Sequence, residues 1–177
     1  DFWNGLVVVL EKNGYEVLQK PTEEDFSDIA HGSSRKRNNA SLSIEIKTSL
    51  PFNIQLEEYS DDLLYFGVGN DQKLPKQYVK AFETLVANNE DYEDDENWYI
   101  WKYPSIPKDE NIDSWDINND ATFHLIDDSF RQRITSVIID DITKFTKDVE
   151  DCLKAAEINN ETEESRDGSL IRRRWLM

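Results

Sequence analysis

Between Ser41 and Gly69 apolar residues alternate with polar ones, break, and alternate again. Leu42, Ile44 and Ile46 share one face of a first extended segment, and Phe52, Ile54 and Leu56 share one face of a second. A third apolar run, Leu63 to Val68, follows the acidic break Asp61-Asp62 and ends in Gly67-Val68-Gly69. Three short strands with short connections predict an antiparallel sheet with one dry side.

Helical spacing surrounds that sheet. Phe2, Trp3, Leu6, Val7 and Leu10 form one stripe and predict a helix over Phe2 to Glu11, stopped by Asn13-Gly14. Tyr15 to Leu18 reads as a short strand, ended by Pro21. Residues 21–40 are polar and turn-rich, and their basic cluster Arg35-Lys36-Arg37 is expected in an exposed loop. A helix from about Pro75 carries Val79, Phe82, Leu85 and Val86 on its apolar side. Glu90 to Glu96 holds six carboxylates in seven residues, so an exposed, loosely ordered loop is expected. Trp98 to Tyr103 has the composition of a strand, and its irregular alternation suits one covered on both faces. Thr122 to Ile126 is predicted as a last short strand. The longest helix is predicted from about Phe130 to Ala156, capped by Asp128 or Ser129, with Ile138, Ile142, Phe145, Val149, Cys152 and Ala156 recurring by threes and fours.

The expected fold is therefore α+β, a mixed, mainly antiparallel sheet packed against the first, middle and last helices. Residues 1–156 are expected to form one domain, and 157–177 a polar linker with a basic and apolar tail.

Formal charge is −17, from 37 acidic against 20 basic residues. That field repels phosphate and disfavours direct nucleic-acid binding by this chain. It suits solubility, a basic partner, divalent ions, or an acidic mimic of nucleic acid that inhibits a DNA-binding protein. The single Cys152 excludes an internal disulfide, fits a reducing cytoplasm and is expected as a small buried residue. Residues 1–20 lack the pattern of a signal peptide, and no apolar run has the length of a membrane span. A first residue of Asp1 leads to the expectation of a fragment or a processed form.

One constellation carries chemistry. In Ile44-Glu45-Ile46-Lys47 the two charged residues share the wet face of a strand. A carboxylate to hold Mg²⁺ and an ammonium to steady developing charge are what metal-dependent phosphodiester cleavage needs. Asp28 is the candidate second carboxylate, and Glu11 a third. The set resembles the PD-(D/E)XK nuclease superfamily, which implies a nuclease with Asp28, Glu45 and Lys47 as catalytic residues and Mg²⁺ on Asp28 and Glu45.

A second resemblance covers residues 1–156. The opening Phe2-Trp3 helix, the strands ending in Tyr65-Phe66-Gly67-Val68, the Trp98-Tyr99-Ile100-Trp101-Lys102 strand and the long last helix are similar to the C-terminal, non-catalytic portion of bacterial proteins with a PD-(D/E)XK-type domain in their N-terminal half. That resemblance implies an accessory module of a nuclease-like protein in phage defence, with catalysis outside this chain. The leading expectation is accordingly a non-enzymatic interaction or regulatory module without a cofactor. It would meet a protein partner or a second copy through the long helix or tail, with Trp98, Trp101, Phe145, Val149 and Trp175 as contact residues.

Overall fold

Five strands stand in the sheet in the order in which the chain makes them, and every pairing is antiparallel. They are β1 (Glu16–Gln19), β2 (Ser41–Lys47), β3 (Asn53–Tyr59), β4 (Tyr65–Gly69) and β5 (Trp98–Lys102). The helices among the described residues are α1 (Phe2–Lys12), α2 (Glu23–His31), α3 (Lys76–Ala87) and α4 (Asp128–Arg174). The computed structural model describes residues 2–31, 41–59, 64–107, 110 and 124–174. Side chains are described for these except 28–31, 59 and 157–174. The architecture is α+β, as the alternation pattern predicts.

The period-two segments pair face to face. Ile44 stands opposite Leu56 and Ile46 opposite Ile54, and all four are fully buried. Phe66 and Val68 of β4 and Ile100 of β5 continue the same dry side. Glu58, opposite Leu42, is the exception in chemistry, a carboxylate buried on the core side.

Three helices seal that side, with α1 and α3 each against α4. Ile134, Ile138, Ile142, Phe145, Val149 and Leu153 form the buried stripe of α4, and Leu6, Leu10 and Phe82 fill the remaining core. Each fully buried large side chain of this kind contributes roughly 1.5–3 kcal/mol. Gly14 ends α1 at φ 88°, where it lets Tyr15 N–H reach the Leu10 carbonyl at 3.1 Å and its own N–H reach Glu11 at 3.1 Å.

Two polar anchors fix α4 to the sheet. Lys102 Nζ lies 3.4 Å from Asp141 Oδ1, both nearly buried, and Ser105 donates to Asp141 from its backbone N–H at 2.5 Å and its hydroxyl at 2.9 Å. Tyr92 donates its phenolic hydrogen to Asp148 at 2.6 Å. Burial and that carboxylate push the Tyr92 hydroxyl above the usual phenol range.

Several segments depart from the sequence expectation. The polar stretch after Pro21 contains α2, opened by a reciprocal cap in which Thr22 N–H donates to Asp25 at 2.6 Å and Asp25 N–H to Thr22 Oγ1 at 3.3 Å. The 35–37 basic cluster lies outside the described residues. His124 to Ile126 form a turn rather than the end of a strand, and Thr122 and Phe123 are not described. Asp127 caps α4, accepting Phe130 N–H at 2.8 Å, and the Ser129 hydroxyl and that N–H hold its carboxyl below the usual range. The backbone of α4 continues past Ala156 through the segment expected as a linker, reaching Arg174. Over 47 residues it spans roughly 70 Å. The acidic block is exposed but pinned: Tyr92 is buried, and Glu93 bridges Trp101 with backbone bonds of 2.9 and 2.8 Å. Cys152 is half-buried and donates to the Ala81 carbonyl at 3.1 Å, and burial pushes its thiol up. No helix among the described residues is long and apolar enough to cross a membrane.

A candidate binding cleft on the open face of the sheet

Among the described residues no helix lies over the other side of β3, β4 and β5, and there an open cleft of about 740 Å³ is formed. Strand β3 supplies Gln55 and Glu57, and β4 supplies Tyr65 and Gly69. A 3₁₀ turn, Asn70–Gln72, contributes Asn70 and Asp71. The loop before β5 contributes Asp95 and Asn97, and β5 with its exit adds Trp98, Trp101 and Tyr103.

A register shift makes the aromatic part possible. Gly67 pairs with Trp101 and Val68 with Ile100, but Gly69 pairs with Trp98, so one residue is extra on β5. Trp98 and Trp101, three apart in sequence, thereby share the open face, while Tyr99 turns to Phe82 of α3. Tyr65 meets Trp98 and Trp101 edge to face at ring-centre distances of 5.3 and 5.6 Å, and Trp101 meets Tyr103 at 5.1 Å and 90°. Trp98 and Tyr65 are buried in the floor, whereas Tyr103 is 39 % exposed. The Trp101 indole nitrogen is buried and finds no acceptor among the described residues. An unmet donor of that kind costs about 1–3 kcal/mol.

The polar part is held just as firmly. A Cβ on Gly69 would stand 2.6 Å from Gln55 Oε1 and 2.8 Å from Asp71 Oδ1, so those two side-chain ends come together over the space the glycine leaves. The Gln72 carboxamide pairs with the backbone of Asn53 in both directions, at 2.9 and 3.0 Å, and fixes the turn that bears Asp71. Asn70 bonds to the Glu96 carbonyl through its side chain and to Asn97 through its N–H, which ties that turn to the loop before β5. Asp95 Oδ1 accepts Asn97 and Trp98 N–H groups at 2.7 and 3.1 Å. Burial raises the Glu57 carboxyl above its ordinary range, the Ser41 and Tyr65 hydroxyls pull it down, and Asp71 pushes it up again. The described residues of the lining include three carboxylates and no Lys or Arg.

The sequence-derived candidates fall as follows. Trp98 and Trp101 line the cleft. Phe145 and Val149, expected at a partner interface, are fully buried instead, because the sheet and Tyr92 already cover that stripe of α4; Phe145 packs edge to face on Phe66 at 5.5 Å and on Tyr92 at 5.6 Å. Trp175 lies outside the described residues. Glu45 and Lys47 do share the open face of β2, but Glu45 accepts Asn53 Nδ2 at 2.7 Å and Lys47 pairs with Glu16 at 3.2 Å. Asp28 belongs to α2, and its side chain is outside the description. No group of three or more His, Cys, Asp or Glu placed to hold a metal ion occurs among the described residues. The sequence pattern does not single out Gln55, Glu57, Asp71, Asp95 or Tyr103; Gly67-x-Gly69 beside an aromatic strand is the nearest signal for them.

Searches against protein-family models, curated proteins and solved structures find no match to this chain.

Proposed function

We propose that this chain is a non-enzymatic protein-interaction module that docks its partner on the open face of β3, β4 and β5. The observation that carries this reading is the cleft itself: a recess of about 740 Å³ where fixed carboxylates meet an aromatic wall. Carboxylates, carboxamides and ring faces are groups that bind, and aromatic anchors beside a polar rim are the usual composition of a contact surface. The resemblance to the non-catalytic portion of PD-(D/E)XK proteins supports a setting beside a nuclease-like domain in phage defence, with catalysis performed outside this chain.

A photo-crosslinking residue at Tyr103, with a control at the exposed Glu83 of α3, tests the reading. Partner capture from the source cell is expected from the Tyr103 position, to vanish with Asp71→Asn, and to be absent from the Glu83 position. Capture that ignores Asp71→Asn, or occurs equally from both positions, removes the proposal.

A further inference from the structure

The ligand chemistry of the cleft follows from how its two halves are built. The aromatic rings touch one another edge to face at 5.1 to 5.6 Å, so they leave no ring-lined hole between them for a methylated ammonium group. They make a wall. A flat group must lie against such a wall, and Trp101 and Tyr103 offer the accessible part of it.

Opposite chemistry sits beside the wall. Glu57, Asp71 and Asp95 bring three carboxylates to the cleft, beside the Gln55, Asn70 and Asn97 carboxamides, and no Lys or Arg stands among the described lining residues. A neutral sugar would also stack on tryptophan and give these carboxylates hydrogen bonds, but it brings no positive charge to offset the repulsion between Glu57 and Asp71. A nucleobase brings phosphate, which the same carboxylates repel. A cation removes the repulsion between Glu57 and Asp71 and gains from both. Of the cationic groups in proteins, the guanidinium alone is flat, stacks on ring faces, and presents a fork of donors matching a carboxylate.

We infer that the cleft receives an arginine side chain of the partner protein, with its guanidinium stacked on Trp101, the perpendicular Tyr103 ring at its edge, and its donors on the Glu57 and Asp71 carboxylates. This rests on the interaction reading above and sharpens it to one residue type. Asp95, held by two backbone N–H groups, supplies the long-range field that draws the cation in.

The test uses the full chain labelled with ¹⁵N at its tryptophan indoles. Peptides of flanking Gly and Ser around one central residue are titrated: arginine, lysine, citrulline or trimethyl-lysine, with a cello-oligosaccharide as a further probe. The arginine peptide is expected to shift the Trp98 and Trp101 indole signals and to bind at least about tenfold more tightly than citrulline, the neutral isostere. Glu57→Gln and Asp71→Asn are each expected to weaken it about tenfold while leaving the circular dichroism spectrum unchanged. Equal binding of citrulline, tighter binding of trimethyl-lysine or of the sugar, or arginine affinity untouched by both variants overturns the assignment. If arginine fails while crosslinking from Tyr103 still depends on Asp71, the ligand class falls and the docking face stands; if that dependence is absent too, both fall.

Discussion

Gly67 lies so close beneath Trp101 that a Cβ on it would stand 2.7 Å from both the Cα and the Cβ of the tryptophan. The two residues are register partners across β4 and β5, so the clash would fall on backbone that has no room to move away. The aromatic wall exists because position 67 is empty.

Gly67→Ala is therefore expected to cost about 1–3 kcal/mol, the usual range for overpacking, and to displace the Trp101 indole. Urea denaturation gives the first quantity, and the Trp101 indole signal in an NMR spectrum gives the second. An unchanged signal would mean that β5 accommodates the methyl group elsewhere.

Asp141 and Lys102 should respond unequally to substitution. Asp141→Ala strands a buried ammonium and removes the acceptor of both Ser105 donors, an expected loss of about 3–5 kcal/mol. Lys102→Met leaves Asp141 with its Ser105 bonds and is expected to cost less. Denaturant midpoints for the two variants check the order.

Glu57 sets a trade between stability and binding. Its folded pKa is raised, so the native state holds that proton more tightly than the unfolded chain does. Its contribution to stability is therefore greatest at acid pH and is lost as pH rises from the ordinary carboxylate value through the raised one. Glu57→Gln is expected to flatten that part of the pH dependence and to raise stability at neutral pH, by less than about 1 kcal/mol given its partial exposure. Urea titrations of both proteins at pH 4 and pH 7 measure the difference.

Phe145→Ala separates a core role from a contact role. With Phe66 and Tyr92 packed on its ring, the loss is expected at about 3–5 kcal/mol. Light scattering is expected to give the same mass for the variant and the parent. A change in mass without a change in stability would place Phe145 at an interface.

Thr22→Ala tests the helix that polar composition concealed. Removing one half of the reciprocal cap is expected to cost about 1 kcal/mol and to reduce helical dichroism by an amount confined to α2.

The strands were legible because burial on one side imposes period two, and Ile44, Ile46, Ile54 and Leu56 keep it without a fault. Helix α2 was concealed by its acidic first turn, although Thr22-Glu23-Glu24-Asp25 after Pro21 spells a cap in plain order. The stripe on α4 identified which residues are hidden but not what hides them, and so Phe145 and Val149 read as contacts to a partner when the sheet already covered them. The cleft was legible only in its tryptophans. Its other groups come from β3, a 3₁₀ turn and a distant loop, and a one-residue register shift decides which aromatics face it. Alternation alone would set Trp98 and Trp101 on opposite sides.

Asp141 and Asp148 stand seven residues apart on α4, two turns along the same flank, and each is bonded to a group outside the helix. Like two pins through a bar, they oppose both sliding and rolling, since either motion would have to break hydrogen bonds at both carboxylates together. A pull along α4 would therefore reach the sheet at Lys102, one residue along β5 from the tryptophan of the cleft wall.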